Sequence, residues 1–268
     1  MIDLSKKVYL KGKRTDYEKY CEIIRREYFD TFEHYQKNPD RKIIPGLTKK
    51  VNEDGKYRGF YGDTTVFQLD GEAITRIKTA QDFVHERIPG LLARRLDPNF
   101  FHITLHDLNN ENDDFSSMFG LRERVKETSK KAGKIFREIN EYITDNPEDR
   151  FAKVESIGIA SGGFVALMMV FLPSTEKDYR IIMNLYNLFD EIVYLKNFLR
   201  IHLTLNYFNT EKFGPDEIRK TMEVTKNFKK TFRLKLDLQR LAYQTFTDMN
   251  SYETIFSVKD FCLPKKRE

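Results

Sequence analysis

The sequence predicts an α+β fold in which two pseudo-symmetric lobes of antiparallel sheet, with helices outside, surround a central cleft. Strands and amphipathic helices alternate along the whole chain. The strand-like stretch FHITLHDL at 101–108 returns 100 residues later as IHLTLNYF at 201–208, and no Gly/Ser-rich linker separates the two halves. A chain of 268 residues, of which 40% are hydrophobic, is long enough to bury a large core.

The first half is predicted to contain three helices and two strands. Apolar spacing near 3.6 predicts the helices, and β-branched and aromatic residues predict the strands. Asn38-Pro39 and Asn146-Pro147 end the first and last helix, because the residue before a proline is biased away from helical backbone. In chain order the elements are the helix 16–37, the strand 59–69, the helix 74–88, the strand 101–108 and the helix 117–143, with a polar loop at 109–114.

The second half repeats this alternation. Ser161-Gly162 predicts a hairpin turn, and the apolar run FVALMMVF after it predicts a strand that is buried on both faces. In chain order the elements are the strands 152–160 and 163–172, the helix 176–195, the strand 200–208, a helix that begins at Pro215-Asp216, and strands near 231–244 and 252–258. The two repeated strands therefore occupy comparable places in their halves.

Composition excludes several classes of protein. The two cysteines, Cys21 and Cys262, have no metal-ligand spacing, so we expect neither a disulfide framework nor a zinc site. The N-terminus lacks the apolar core of a secretion signal, and no segment approaches the roughly 20 apolar residues of a membrane span. We therefore expect a cytoplasmic protein without a membrane partner.

The net charge of +5 is small for a chain with 46 basic and 41 acidic residues. The basic clusters Lys6-Lys7, Lys11-Gly12-Lys13-Arg14 and Lys265-Lys266-Arg267 lie near the termini, where we expect solvated tails. The slight excess suits a small anionic ligand, and binding of duplex DNA is not indicated.

The repeated stretch places a histidine and a threonine together on each strand. Side chains alternate faces with a period of two, so His102 and Thr104 project to one face, and His202 and Thr204 do the same. If the lobes are pseudo-symmetric, both pairs meet in one groove. A histidine with threonine two residues later arises twice among five histidines by chance with a probability of roughly 5%. The shared pattern apolar-His-apolar-Thr-Leu on two predicted strands favours a functional origin.

Two imidazoles and two hydroxyls in one groove are the groups that phosphodiester cleavage requires. One histidine can act as the base for the attacking water or hydroxyl while the other protonates the leaving oxygen. The threonine hydroxyls can donate to the non-bridging phosphate oxygens without a metal ion. We therefore predict His102, Thr104, His202 and Thr204 as catalytic residues, with no cofactor.

The paired motifs His102-Ile103-Thr104 and His202-Leu203-Thr204 resemble those of the 2H phosphoesterases over about residues 45–260. The stretch YGDTTVFQL is similar to the opening strand of an uncharacterised bacterial branch that carries Gly-Asn-Thr, with Asp63 in place of the asparagine. The resemblance leaves the first helix outside. We therefore divide the chain into an N-terminal helical extension, 1–44, and a bilobal domain, 45–268.

The resemblance also implies a fold and an activity. The family has two four-stranded antiparallel sheets, with both His-x-Thr pairs in a central groove. Its members include RNA 2′,3′-cyclic phosphodiesterases, RNA end-processing enzymes and 2′-5′ RNA ligase-like enzymes, which act beside a 2′-oxygen without metal. The implied partner is a nucleotide or RNA with a cyclic or 2′-linked phosphate, and both hydrolysis and ligation stay open.

Further residues are candidates for substrate contacts. His106 and Asn206 lie two positions beyond the threonines, so regular alternation places them on the groove face. Tyr61 and Tyr207 could stack a base, although core packing is the alternative for both.

Two other functions compete with this hypothesis. A metal-dependent hydrolase could use His102, His106 and Asp107, but on a strand the two histidines are about 13 Å apart along the axis. A catalytically silent nucleotide sensor of the same fold is the second alternative. The presence of both intact His-Thr pairs argues against it. The sequence contains no P-loop, dinucleotide-binding GxGxxG or GxSxG motif.

Overall fold

The computed structural model describes residues 2–10, 13–40, 45–113, 117–211 and 213–261. Cys262, the cluster Lys265-Lys266-Arg267 and the residues Lys11-Gly12 lie outside this part of the chain. The helices are α1 Tyr17–Lys37, α2 Pro45–Thr48, α3 Gly71–Arg87, α4 Met118–Asp145, α5 Glu176–Asp190 and α6 Pro215–Asn227. The strands are β1 Tyr9–Leu10, β2 Lys13–Arg14, β3 Gly62–Gln68, β4 His102–Asn110, β5 Phe151–Ala160, β6 Ala166–Pro173, β7 His202–Tyr207, β8 Arg233–Asp237, β9 Leu241–Asp248 and β10 Ser251–Ser257.

Two four-stranded antiparallel sheets dominate the described part of the chain, which confirms the predicted α+β class. The first sheet has the order β10-β9-β3-β4, and the second has the order β7-β6-β5-β8. The strands β4 and β7, which carry the repeated sequence, are edge strands and lie against one another. This contact between the two edges brings both His-Thr pairs to the centre of the molecule.

The sequence predicted two lobes formed by consecutive halves of the chain. This prediction is wrong. The predicted strand near 231–244 is two strands: β8 pairs with β5 in the second sheet, and β9 pairs with β3 in the first. A 3₁₀ turn, Leu238–Arg240, separates them, and the Asp237 carboxylate caps it by accepting the Gln239 backbone N–H at 3.0 Å. Arg150 holds that carboxylate with two hydrogen bonds of 2.9 and 2.7 Å. The C-terminal strands therefore complete the first lobe.

The helix α5 covers the second sheet and is shorter than predicted. Thr175 begins it with a reciprocal cap, in which its hydroxyl accepts from the Asp178 backbone N–H and donates to the Asp178 carboxylate. The other carboxylate oxygen accepts from the Lys153 backbone N–H at 2.8 Å, which attaches the helix to β5. The helix ends at Asp190, where the side chain turns back to accept from the Leu195 backbone N–H at 2.9 Å.

The helix α1 is integrated with the second lobe. Asp16 caps it by accepting the Lys19 backbone N–H at 2.9 Å, as expected of an N-cap carboxylate. Tyr20 and Ile24 are buried, and the Tyr20 hydroxyl donates to the Leu199 carbonyl at 3.1 Å. The division of the chain at residue 44 stays a prediction. No helix among the described residues is both long and apolar enough to cross a membrane.

Candidate active site

Both edge strands contain a β-bulge directly after the threonine of the motif. In the β3–β4 pair, Val66 lies opposite Thr104 and Thr65 opposite His106, so the ladder skips Leu105. The β6–β7 pair skips Leu205 in the same way. A bulge inserts one extra residue and reverses the alternation of faces beyond it. The two strands thus share the motif and also the irregularity that follows it.

The bulges contradict the expectation that His106 and Asn206 lie on the groove face. His106 is only 1% exposed, and its ring packs against Tyr186 of α5 with centroids 4.9 Å apart. Its Nε2 lies 3.4 Å from an Asp190 carboxylate oxygen on the same helix. Burial is the main cause that lowers the pKa of His106, and Asp190 partly opposes it. The residue that the first bulge turns into the groove is Asp107.

Asn206 links β7 to the loop that precedes β4 and does not line the groove. Its side-chain oxygen accepts from the Leu96 backbone N–H at 3.0 Å, and its amide donates to the carbonyls of Ala93 and Tyr207, both at 2.9 Å. It is fully buried. The bulge turns Tyr207 into the groove in its place.

The four predicted catalytic residues line one cavity of about 280 Å³. The His102 Nδ1 lies 2.8 Å from the Phe100 carbonyl oxygen, and the His202 Nδ1 lies 2.8 Å from the Arg200 carbonyl oxygen. In each case Nδ1–H donates to the residue two positions earlier, which leaves Nε2 as the nitrogen available for proton transfer. The pseudo-symmetry therefore extends to the orientation of the imidazoles.

Burial lowers the pKa of His102 to about 4. The Phe100 carbonyl and the negative charge of Asp107 oppose this shift, and the positive charge of a protonated His202 adds to it. His102 is therefore neutral at pH 7, with a free lone pair on Nε2.

Aromatic and charged side chains form the rest of the cavity wall. The Tyr252 ring lies edge-on to His102 with centroids 4.9 Å apart, and burial raises the pKa of Tyr252 well above its usual value. The Lys50 ammonium lies 5.0 Å from the Phe60 ring centroid and 5.6 Å from that of Tyr207. Tyr207 also lines the cavity, and its hydroxyl donates to the Met249 sulfur at 3.1 Å.

Tyr61 does not line this cavity. Its ring lies beneath the Arg122 guanidinium at 5.1 Å, and its backbone N–H donates to Glu111. Sequence reasoning missed Lys50 and Tyr252, which do line the cavity, and considered Asp107 only as a metal ligand. No signal in the sequence marks the bulge that exposes Asp107. Tyr252 lies on β10, which joins the first sheet although it follows the second sheet in the sequence.

The three residues of the metal alternative do not converge. The His102 ring lies in the groove against Tyr252, whereas His106 lies against Asp190 on the other side of the strand. Within the described ranges, no group of three His, Cys, Asp or Glu side chains is placed to hold a metal ion.

Comparison with known proteins reveals a shared fold. No protein-family model matches the sequence, and no curated protein matches it. Among solved structures, the conserved protein of unknown function ATU0111 from Agrobacterium tumefaciens str. C58 matches with a TM-score of 0.57 and 15% identity, over 84% of this chain and 97% of that chain. This chain has the ATU0111 fold.

Two more distant structures match a smaller share of the chain. LigT from E. coli, solved in complex with 3′-AMP, has a TM-score of 0.39 and 13% identity over 74% of this chain and 96% of its own. TT0787 of Thermus thermophilus has a TM-score of 0.40 and 11% identity over 74% of this chain and 98% of its own.

Proposed function

We propose that this chain is a metal-independent phosphoesterase of the 2H family. Its substrate is a nucleotide or RNA end with a cyclic or 2′-linked phosphodiester. One observation carries the proposal: His102 and His202 make the same Nδ1 contact with the carbonyl two residues earlier, and line one cavity with Thr104 and Thr204. Such matched orientation is what division of acid and base between two like side chains requires.

His102 takes the role of general base. Its lowered pKa, about 4, keeps the imidazole neutral at physiological pH, and Nε2 is free to accept a proton. The charge of a protonated His202 favours this neutral state of His102. This leaves the proton-donating role to His202.

His202 takes the role of general acid. In the hydrolysis of a cyclic phosphate, water forms a bond to phosphorus and gives its proton to His102, while one phosphorus–ester bond breaks. The leaving sugar oxygen takes the proton of His202, so a phosphomonoester and a free hydroxyl result. The hydroxyls of Thr104 and Thr204 donate to the non-bridging oxygens, where negative charge develops. Lys50 supplies further positive charge to the cavity wall.

The test is turnover by the purified chain with 2′,3′-cyclic nucleotides, 2′-5′-linked dinucleotides and ADP-ribose cyclic phosphate, followed by chromatography of the products. His102→Ala and His202→Ala should each lower the rate by roughly 10²–10⁴, the usual scale for loss of an acid or a base. Thr104→Ala and Thr204→Ala should cost less. The matched control is His34→Ala, an exposed histidine of α1, which should keep the parent rate.

Two results would contradict the proposal. One is a parent rate retained by either active-site histidine variant. The other is binding of these compounds without turnover by the parent, which would favour the sensor. Chelator should leave the rate unchanged, because the proposed charge stabilisation comes from imidazolium, hydroxyl and ammonium groups.

A further inference from the structure

A second compartment of about 500 Å³ adjoins the catalytic cavity and is lined by one residue of each His-Thr pair, Thr104 and His202. It shares with the catalytic cavity the side chains of Thr104, Asp107, Met168 and His202. A phosphate held between the two histidines carries an organic group on each side. The group that points away from the first cavity therefore extends into this second space.

The helix α1 builds one wall of this compartment. Tyr28 of α1 and Phe198 of the loop after α5 contribute aromatic rings from two different elements, and both rings are only partly buried. The apolar residues that complete the walls come from α1, the loop and both sheets: Ile24, Leu105, Ala160, Val170, Leu195 and Leu199.

The Tyr28 ring is held in place by its surroundings. Phe29 and Phe32 pack edge-on against it, with centroids 5.4 and 5.0 Å away. The Tyr28 hydroxyl reaches over Gly158, where an added Cβ would come within 2.1 Å of it. Gly158 has a φ of +147°, which side chains rarely tolerate, so the sheet makes room for this tyrosine.

Most polar side chains within the walls are engaged with protein partners. The exception is His106, which also lines this space and whose buried Nδ1 has no hydrogen-bond partner among the described residues, so it offers a ligand at most one hydrogen bond. Glu27 forms two hydrogen bonds with the Arg200 guanidinium, of 2.7 and 2.9 Å. The Tyr186 hydroxyl donates to the Asn197 carbonyl at 2.6 Å, and the Thr31 hydroxyl donates to the Glu27 carbonyl at 2.8 Å. Lys196 and Asn197 also line the space but are exposed to water. The compartment thus offers ring faces and apolar contacts more than hydrogen bonds to a ligand.

We propose that this compartment binds the base of the nucleoside on the α1 side of the scissile phosphate, by its ring faces and without reading its edges. The inference rests on the proposed function, since the phosphate between the histidines places the base. Stacking tolerates any base because every base has a π-face, whereas edge recognition requires free donors and acceptors. The enzyme should therefore require a base on this side but accept all four.

Binding of 2′-5′-linked diadenylate and of its two abasic analogues, each lacking one base, tests this inference by calorimetry, with every protein, the parent included, carrying His102→Ala so that the ligand is not cleaved during the titration. Loss of the base on the α1 side should weaken binding to the parent by about 5- to 150-fold, the range for one stacked base. Tyr28→Ala and Phe198→Ala should each weaken binding of the intact dinucleotide and leave binding of that abasic analogue unchanged. Tyr28→Phe keeps the ring and should keep the dependence on the base. Phe119→Ala, which removes an exposed ring from α4 outside the compartment, is the control.

Three results would overturn the inference. The first is equal weakening of intact and abasic ligands by Tyr28→Ala and Phe198→Ala. The second is discrimination beyond about tenfold among the four bases at that position, which edge reading would produce. The third is a parent that does not bind the dinucleotide. If the parent binds with this dependence on the base yet cleaves no compound of the panel, the proposed function fails and the subsite stands.

Discussion

His102 and His202 are oriented by the same short contact, yet their surroundings differ. Tyr252 covers the His102 ring, whereas the second compartment opens beside His202. Similar motifs in two lobes thus produce unlike imidazoles, which is what a division between base and acid requires.

The pH dependence of kcat/KM should report this difference. Protonation of the base stops turnover, so the acidic limb should lie near the His102 pKa of about 4 rather than near the ordinary histidine value. The basic limb reports loss of the proton from the acid, and His202→Ala should remove that limb. Rates measured from pH 3.5 to 9, where chemistry limits the rate, provide the check. A parent acidic limb between pH 6 and 7 would contradict the assignment of His102 as the base.

Asp63 is a buried carboxyl outside the cavity, and it should affect stability. It accepts the Asn109 backbone N–H at 2.7 Å, the Asn109 amide at 2.9 Å and the Tyr243 hydroxyl. Burial outweighs these contacts and raises the pKa of Asp63 to about 6. Its folded-state pKa is higher than its unfolded value, so the folded state binds an extra proton between about pH 4 and 6.

The contribution of Asp63 to stability should therefore be present below pH 4 and lost as the pH rises through 6. Asp63→Asn stays neutral, so the difference in free energy of unfolding between parent and variant should change by about 3 kcal/mol over this range. Urea unfolding of both proteins at pH 4, 5, 6 and 7 measures it. Parallel curves for the two proteins would show that Asp63 has an ordinary pKa.

The bulges of β4 and β7 determine which side chains enter the groove. Asp107 raises the pKa of His102, so Asp107→Asn should move the acidic limb of the rate profile to still lower pH. Asn206→Ala should instead lower the free energy of unfolding by about 1–3 kcal/mol, because it leaves the Leu96 N–H and the Ala93 carbonyl without their partner. The rate profiles of both variants show whether the residue changes the pKa of His102, and denaturant unfolding of both shows whether it stabilises the fold. A limb that stays in place in Asp107→Asn would show that its charge does not reach His102.

Sequence patterns predicted the elements of the site better than its details. Period-two alternation correctly placed His102 with Thr104, and His202 with Thr204, because both pairs precede the bulge. It misplaced His106 and Asn206, because a bulge depends on how the neighbouring strand pairs and has no local sequence signal here. The end of α5 was predicted too late, since apolar residues continue past Asp190 while its side chain caps the turn.

At the scale of the whole molecule, two lobes around one cleft were predicted, but the chain path was not. Residues 231–244 were predicted as one strand, whereas a turn capped by Asp237 divides them and β9 pairs in the other sheet. The pairing of β9 with β3 joins residues far apart in the sequence, which a local pattern does not encode. It also places Tyr243 beside Asp63 and Tyr252 beside His102.

A chain that ends at Leu238 should lose the first sheet and keep the second. The strands β5 to β8 lie within residues 151–237, whereas β3 pairs with β9 on one side. Limited proteolysis should cut this shortened chain within 62–110 and spare 151–237. Activity of the shortened chain comparable to that of the full chain would contradict the requirement for β9 and β10.

The pairing of β9 with β3 also determines the order in which the two sheets can form during protein synthesis. The second sheet can form once residue 237 has left the ribosome, because all its strands are contiguous in sequence. The strand β3 is made much earlier, but its partner β9 begins only at residue 241. The half of the cleft that carries His102 must therefore wait for the half that carries His202, and β3 stays unpaired on one edge until β9 has emerged. Such an edge can pair with other chains, so this interval is when the nascent protein is exposed to aggregation through β3.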